Sequence, residues 1–161
     1  MGYYKNAQIC LCGHVITDNI GDHPERGEKF CNLCGAETIT NCLNCNVSIR
    51  GDYHVDGVIC LGGEKTKAPL YCYNCGNPFP WTEDAMEAAR MIIDEEDKLK
   101  SDEKEKLKMS LQDLIADTPR TSLAVVRLKK AFLCVGNITK DALIKFVVSF
   151  CCEAVKSQLG T

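Results

Sequence analysis

Apolar residues recur along this chain with two different spacings, and the change falls near Trp81. Beyond it they follow helical periodicity. Met86, Ala89 and Ile93, with the stem of Arg90, share one face of a segment running to about Leu99. Thr82 is its predicted N-cap, with Glu83 and Asp84 in the favourable first turn. Ser101 is expected to cap a second helix that turns Leu107, Leu111, Leu114 and Ile115 inward. Asp117-Thr118-Pro119 ends it, because the residue before a proline is pushed out of the helical region. Two more helices are predicted over about 121–134 and 139–158, separated by Gly136-Asn137. Before Trp81 only short β-rich runs appear, at 37–40 and 47–50. The pattern predicts an α+β protein, with residues 1–81 as one domain and a helical region of about four helices over 82–161.

Cysteine changes this picture most. Nine of the twelve cysteines lie in residues 1–81, where apolar residues are too few for an independent core. They come as close pairs, Cys31/Cys34, Cys42/Cys45 and Cys72/Cys75, each with two residues between. That spacing lets two thiolates in a tight turn face one metal ion, whereas disulfide frameworks usually join more distant residues. Gly35 and Gly76 directly follow two of the pairs and suit the turn. A fourth pair must come from Cys10-Leu11-Cys12-Gly13-His14; Cys10 with His14 is favoured, while Cys10 with Cys12 and Cys12 with His14 stay open. The expected metal ligands are Cys10, His14, Cys31 and Cys34 at one zinc, and Cys42, Cys45, Cys72 and Cys75 at another, about two zinc ions per chain. Sequential pairing is preferred to a cross-braced one, because each intervening stretch can return to its own metal as a hairpin.

The first half resembles the double zinc ribbons common in bacterial proteins, carried by Phe30-Cys31-Asn32-Leu33-Cys34-Gly35 followed by Cys42-Leu43-Asn44-Cys45. The whole chain resembles a family of short bacterial proteins of unknown function. The matching stretches are Met1-Gly2-Tyr3-Tyr4, Ala7-Gln8-Ile9-Cys10, Gly13-His14-Val15-Ile16, Ile49-Arg50-Gly51 and Tyr53-His54-Val55. Others are Cys75-Gly76, Pro78-Phe79-Pro80-Trp81-Thr82-Glu83 and Asp117-Thr118-Pro119-Arg120-Thr121. The resemblance implies a metal-bound ribbon and no established activity. It also implies a polar residue, often Asn, in place of Cys12, which makes Cys12 dispensable and His14 the better ligand.

Four ligands close each site, so no catalytic residue and no further cofactor is expected, and the protein is read as a non-enzyme. His23 and His54 lack a spacing partner and read as surface residues. Cys60, Cys134, Cys151 and Cys152 lie in apolar surroundings and read as small core residues. Residues 57–66 superficially resemble a phosphate loop, but the lysine comes two places late and no βα unit surrounds it.

Charge bears on the partner. Residues 1–81 carry six Lys/Arg against eight Asp/Glu, a net of −2. Two zinc centres, one with four thiolates and one with three and a histidine, would bring the module near −5. That disfavours nucleic acid, whose binding depends on cations that release counterions. Residues 82–118 have a net of −6 and residues 119–161 a net of +5, expected to neutralise each other within one helical unit. Leu143, Phe146, Val147, Phe150, Ala154 and Val155 form a broad apolar face on the last predicted helix. Core packing is its expected use, ahead of self-association and of membrane contact. No signal peptide, myristoylation pattern or membrane-spanning run is seen, and a cytoplasmic location is expected. The expected role is a zinc-binding interaction module for another protein or a second copy. The alternatives are a nucleic-acid-binding ribbon using Tyr53, Tyr71, Tyr73 and Arg50, or an accessory subunit of an enzyme.

Overall fold

The described residues of the first half form short strands and one 3-10 turn at Pro24–Arg26. In the computed structural model, which describes residues 2–58 and 66–160, the strands are β1 (Tyr3–Asn6), β2 (Gln8–Cys10), β3 (Val15–Thr17), β4 (Thr38–Ile39) and β5 (Arg50–His54). β1 pairs antiparallel with β5, and β2 lies between β3 and β4 in a second small sheet. In the first sheet Tyr4 faces Tyr53 and Asn6 faces Arg50, with an irregularity between Tyr4 and Asn6. The strand expected at 47–50 is displaced: Ser48 makes only an isolated bridge to Asn41, and regular pairing begins at Arg50. Cys60 and most of the loop at 57–66 lie outside the described residues.

The chain divides into two compact units, Met1–Glu83 and Asp84–Thr161. The first has a small core of Ala7, Ile9, Ile49, Phe79 and Trp81, packed with Cys42 and Cys72. Trp81 stacks on Phe79 at 4.7 Å between ring centroids, and its indole N–H donates to the Pro69 carbonyl at 2.9 Å. Gly51 is required by a close approach. A Cβ there would overlap the Asp18 carbonyl group, whose oxygen also accepts the Asp52 N–H at 3.1 Å.

Helix α1 spans Pro80–Asp94. Its start corrects the expected cap. Proline suits the first helical position, and Thr82 lies buried inside the first turn, its hydroxyl donating to the Leu70 carbonyl at 2.8 Å. The helix also stops before Leu99, because Glu96 turns back: its carboxylate accepts the Lys98 and Gly136 N–H groups, each at 3.0 Å. Those amides and the Thr139 hydroxyl hold the Glu96 carboxyl below its usual range.

The second unit continues with α2 (Ser101–Ile115), α3 (Thr121–Cys134), α4 (Asn137–Phe150) and α5 (Glu153–Leu159). Ser101 is the first residue of α2 rather than its cap, and Glu103 reaches back to accept the Lys100 N–H at 3.0 Å. The single helix expected over 139–158 is two. Cys151 is extended and buried, and the Cys152 N–H leaves the helical ladder to donate to the Leu114 carbonyl at 3.2 Å. Leu143, Phe146, Val147 and Val155 are buried in this unit with Leu107, Leu111 and Leu114 of α2 and Val125 and Leu128 of α3. The apolar face of the last segment is therefore core. The Asp117–Thr121 turn is held by buried Asp113, which accepts from the Thr118 hydroxyl at 2.9 Å and pairs with Arg120 at 3.3 Å.

Gly51→Ala is expected to destabilise the first unit by about 3 kcal/mol, the upper range of backbone overpacking. Gly21→Ala, which meets nothing within 4 Å, should be neutral. Thermal unfolding of the two zinc-loaded variants checks the contrast.

Candidate metal centres

The three C-x-x-C turns are built alike. The N–H of the first cysteine donates to the carbonyl five residues on, Cys31 to Ala36 and Cys42 to Val47 at 2.8 Å and Cys72 to Asn77 at 2.9 Å. The N–H four residues on returns to the first cysteine's carbonyl, from Gly35, Asn46 and Gly76. These three residues all have positive φ, +73°, +58° and +72°. Asn46 thus does for the middle turn what glycine does for the others, since asparagine tolerates the left-handed region better than most residues. Isolated bridges, Phe30 to Glu37, Asn41 to Ser48 and Tyr71 to Pro78, close each turn at the same offset. The fourth turn differs. Cys10 receives the Gly13 N–H at its carbonyl and the His14 N–H at its sulfur, and the second donor side chain comes four residues on instead of three.

These turns bring eight side chains to two points. Cys10, His14, Cys31 and Cys34 form one group and Cys42, Cys45, Cys72 and Cys75 the other, with donor atoms within 4.8 Å of one another in each. The grouping is sequential and not cross-braced. A tetrahedral zinc with bonds of about 2.3 Å to sulfur and about 2.0 Å to nitrogen has sulfur–sulfur edges of about 3.8 Å and nitrogen–sulfur edges of about 3.5 Å. The sulfur pairs Cys10–Cys34, Cys42–Cys75 and Cys45–Cys72 stand at 3.7, 3.8 and 3.6 Å. His14 Nδ1 stands 3.5 Å from Cys10 Sγ and 3.6 Å from Cys31 Sγ. A disulfide would need about 2.0 Å. The donor sets therefore fit two zinc ions. The residues present would hold one through three sulfurs and Nδ1, the other through four sulfurs.

The thiols are not equivalent. Burial pushes Cys10 up to about 11. The Val47 N–H, then the Asn74 side chain, draw Cys45 down to about 6, and the Ala36 N–H likewise lowers Cys34. The Asn77 N–H draws on Cys75 in the same way, but burial and the neighbouring thiols Cys45, Cys72 and Cys42 outweigh it and raise Cys75 to about 12. In each pair the first cysteine is buried and the second donor faces outward or is half-buried.

Cys12 is exposed and is not one of the four converging donors, although its thiol neighbours Cys34. His23 contacts Glu25 at 3.1 Å, and His54 contacts Asp56 at 3.4 Å and the Tyr3 ring edge-on. Cys151 is buried and Cys152 half-buried, but Cys134 is exposed at the end of α3, which corrects its reading as a core residue. Of the residues grouped by sequence as a possible nucleic-acid surface, Tyr53, Tyr73 and Arg50 lie in one row of planar groups, to which sequence reasoning had not added Tyr4. Tyr4 meets Tyr53 at 4.9 Å, and the Arg50 guanidinium lies over Tyr4 at 4.7 Å and over Tyr73 at 3.7 Å. Tyr71, grouped with these by sequence, has a buried hydroxyl instead. The alternation of Tyr4 and Asn6 against Tyr53 and Arg50 could have marked the row only once the strand register was known.

The sequence model of one family, described as "Uncharacterized protein conserved in bacteria (DUF2321)", matches residues 3–159. Comparison with curated proteins and with solved structures gave no match.

Metal analysis is expected to give two zinc ions per chain. Cys31→Ser, Cys72→Ser and His14→Ala should each lose one, and Cys12→Ser neither; mass spectrometry under native conditions reads this directly. Zinc must displace the protons that Cys10 and Cys75 hold at neutral pH. Apparent affinity should therefore rise with pH, by about tenfold per unit for each proton displaced, in competition with a chromophoric chelator.

Proposed function

The chain belongs to this family of conserved bacterial proteins, and we propose that it is a non-catalytic binding protein whose ribbon is held by zinc and whose helix α3 receives a partner protein. One observation carries the reading: α3 is apolar on two faces and only one of them is buried. Ala124, Val125, Leu128 and Ala131 face the core. Leu123, Val126 and Leu133 form a second stripe at helical spacing, with Lys130 between them, and Leu133 is 86% exposed. The neighbouring Ile138 is 88% exposed. A helix apolar all round is ordinarily buried, and a contiguous exposed apolar patch marks an interaction surface.

Two clefts of about 510 and 520 Å³ flank this stripe and share Val126, Lys130 and Leu133. Lys129 and Lys140 line the second, and Lys106 and Arg127 the first. Among the described residues only Arg120–Asp113 pairs the basic segment 119–161 with the acidic segment 82–118. Apart from that pair the two segments make no ion pair among the described residues, where Lys129, Lys130 and Lys140 have no carboxylate partner, although Glu103 also lines the first cleft. An apolar ridge ringed by unpaired lysines complements an amphipathic helix with acidic flanks. Four donors close each metal centre and leave no position for a substrate, which supports a non-catalytic role. No helix among the described residues is long and apolar enough to cross a membrane.

The test is affinity capture from the native cells with nuclease present. Proteins held by the wild type should be lost by Val126→Asp/Leu133→Asp, a variant expected to keep its zinc and helicity. An unchanged set of proteins, or recovery that depends on nucleic acid, overturns the reading; light scattering that shows a dimer abolished by the same variant assigns the ridge to a second copy.

A further inference from the structure

The turns that carry the two metal centres also set a side chain beside each of them. In the C-x-x-C turns the residue two places after the first cysteine aims its N–H at that cysteine's sulfur, Leu33 at Cys31 over 3.4 Å and Asn74 at Cys72. Cys12 does the same for Cys10. At two of these positions the side chain then reaches across to the facing turn. The Asn74 side chain hydrogen-bonds to Cys45, the second donor of the turn opposite it. The Cys12 thiol hydrogen-bonds to Cys34, the second donor of the turn opposite it. The sulfurs beneath are spaced alike, Cys72–Cys45 at 3.6 Å and Cys10–Cys34 at 3.7 Å. Cys12 and Asn74 are therefore equivalent positions, each adding a donor to a sulfur that already belongs to a group of four. An amide there is inert to oxidants, whereas a thiol is not.

Cys12 and Cys34 are both exposed, while Cys10 and Cys31 are buried. Oxidation of cysteine follows exposure and thiolate character, and a bound zinc would hold Cys34 as the thiolate. We propose that Cys12 is an oxidation site through which a hydroperoxide opens the first metal centre, by closing a Cys12–Cys34 disulfide, and leaves the second centre intact. With hydrogen peroxide, the Cys12 sulfur attacks one peroxide oxygen, the O–O bond breaks, and the thiol proton leaves with the other oxygen as water. Cys12 is then a sulfenic acid. The Cys34 sulfur attacks the Cys12 sulfur; the S–S bond forms, the S–O bond breaks, and hydroxide leaves, taking a proton from solvent. The two sulfurs lose two electrons in all, and the peroxide oxygens gain them. Cys10, Cys31 and His14 remain, three donors where four closed the site, so its hold on zinc is lost. A thiol reductant reverses the step.

The test treats the full-length, reduced, zinc-loaded chain with graded hydrogen peroxide. Released zinc is read with a chromophoric indicator and the cysteine linkages by peptide mapping. Because the step rests on the zinc-held ribbon, zinc content is measured before oxidant is added. Fewer than two ions at that point overturns both readings, whereas two ions with none released overturns this one alone. One of the two ions is expected to leave, together with the appearance of a peptide linking Cys12 to Cys34, and a thiol reductant should restore binding. Cys12→Asn, which gives the first centre the amide of the second, should keep both ions at the dose that empties one site of the wild type. Asn74→Cys should release both, with a new link from position 74 to Cys45. Loss of both ions from the wild type, equal release from Cys12→Asn, no added release from Asn74→Cys, or a disulfide joining Cys34 to a cysteine other than Cys12 overturns the proposal. The peptide map is read on the wild type and decides the matter even if a variant misfolds.

Discussion

The N-terminal unit depends on eight side chains held at two points. Each point joins turns far apart in the chain, Cys10–His14 to Cys31–Cys34 and Cys42–Cys45 to Cys72–Cys75. Little else could join them. The strands are two to five residues long, and among the described residues the buried apolar ones apart from cysteine are Ala7, Ile9, Ile49, Phe79 and Trp81. A structural zinc contributes on the order of 10 kcal/mol, large beside what so small a core supplies. The core is also built on the centres themselves. Cys42 and Cys72 pack in it from one, and Gly13, in the turn of the other, lies so close to Trp81 that a Cβ would meet its side chain at 3.0 Å. Zinc bound at these groups and the core would therefore form one cooperative unit and not two independent sources of stability.

Legibility followed from how local the cause was. The C-x-x-C turns could be read because two thiolates on one ion force a short spacing; their sequential grouping was expected from local hairpins, but β5, between Cys45 and Cys72, pairs with β1 instead of returning on its own stretch. Helix α3 was readable to the residue because its periodicity and flanking breakers agree. Where a distant partner decides, the sequence was silent. Thr82 looks like a cap, but the Leu70 carbonyl claims its hydroxyl. Nothing in Ser149-Phe150-Cys151-Cys152 announces that the Leu114 carbonyl breaks the helix there. Cys134 resembles a core residue because α3 is apolar all round; which of its faces is covered depends on the helices packed against it.

Charge separates the surfaces by what each can receive. Among the described residues Lys129, Lys130 and Lys140 of the helical unit make no ion pair with the acidic segment 82–118, and the proposed acidic, apolar partner rests on that imbalance. Residues 1–81 carry an acidic excess of two, and among the described residues Arg50 makes no ion pair. Net charge alone, near neutrality for the whole chain at −3, conceals both. Aromatic residues on the ribbon do not by themselves indicate nucleic acid: Tyr53, Tyr4, Arg50 and Tyr73 stack mainly on one another, and the surrounding field opposes a polyphosphate.

A metal held by all four donors of the second group would have a positional task. Tyr73 stands directly between Cys72 and Cys75, and the turn that brings both sulfurs to one point also fixes the backbone that carries its ring. That ring lies 3.7 Å from the Arg50 guanidinium, the closest contact in the row. Arg50 itself opens β5, one residue beyond Ile49, which is buried against Cys42 and Cys72. Both Tyr73 and Arg50 are thus anchored to the second group of cysteines, one through the Cys72–Cys75 turn and one through the core packed on Cys42 and Cys72. A zinc bound there would set the stack without touching it, because the geometry of the sulfurs becomes the geometry of the turn that carries Tyr73.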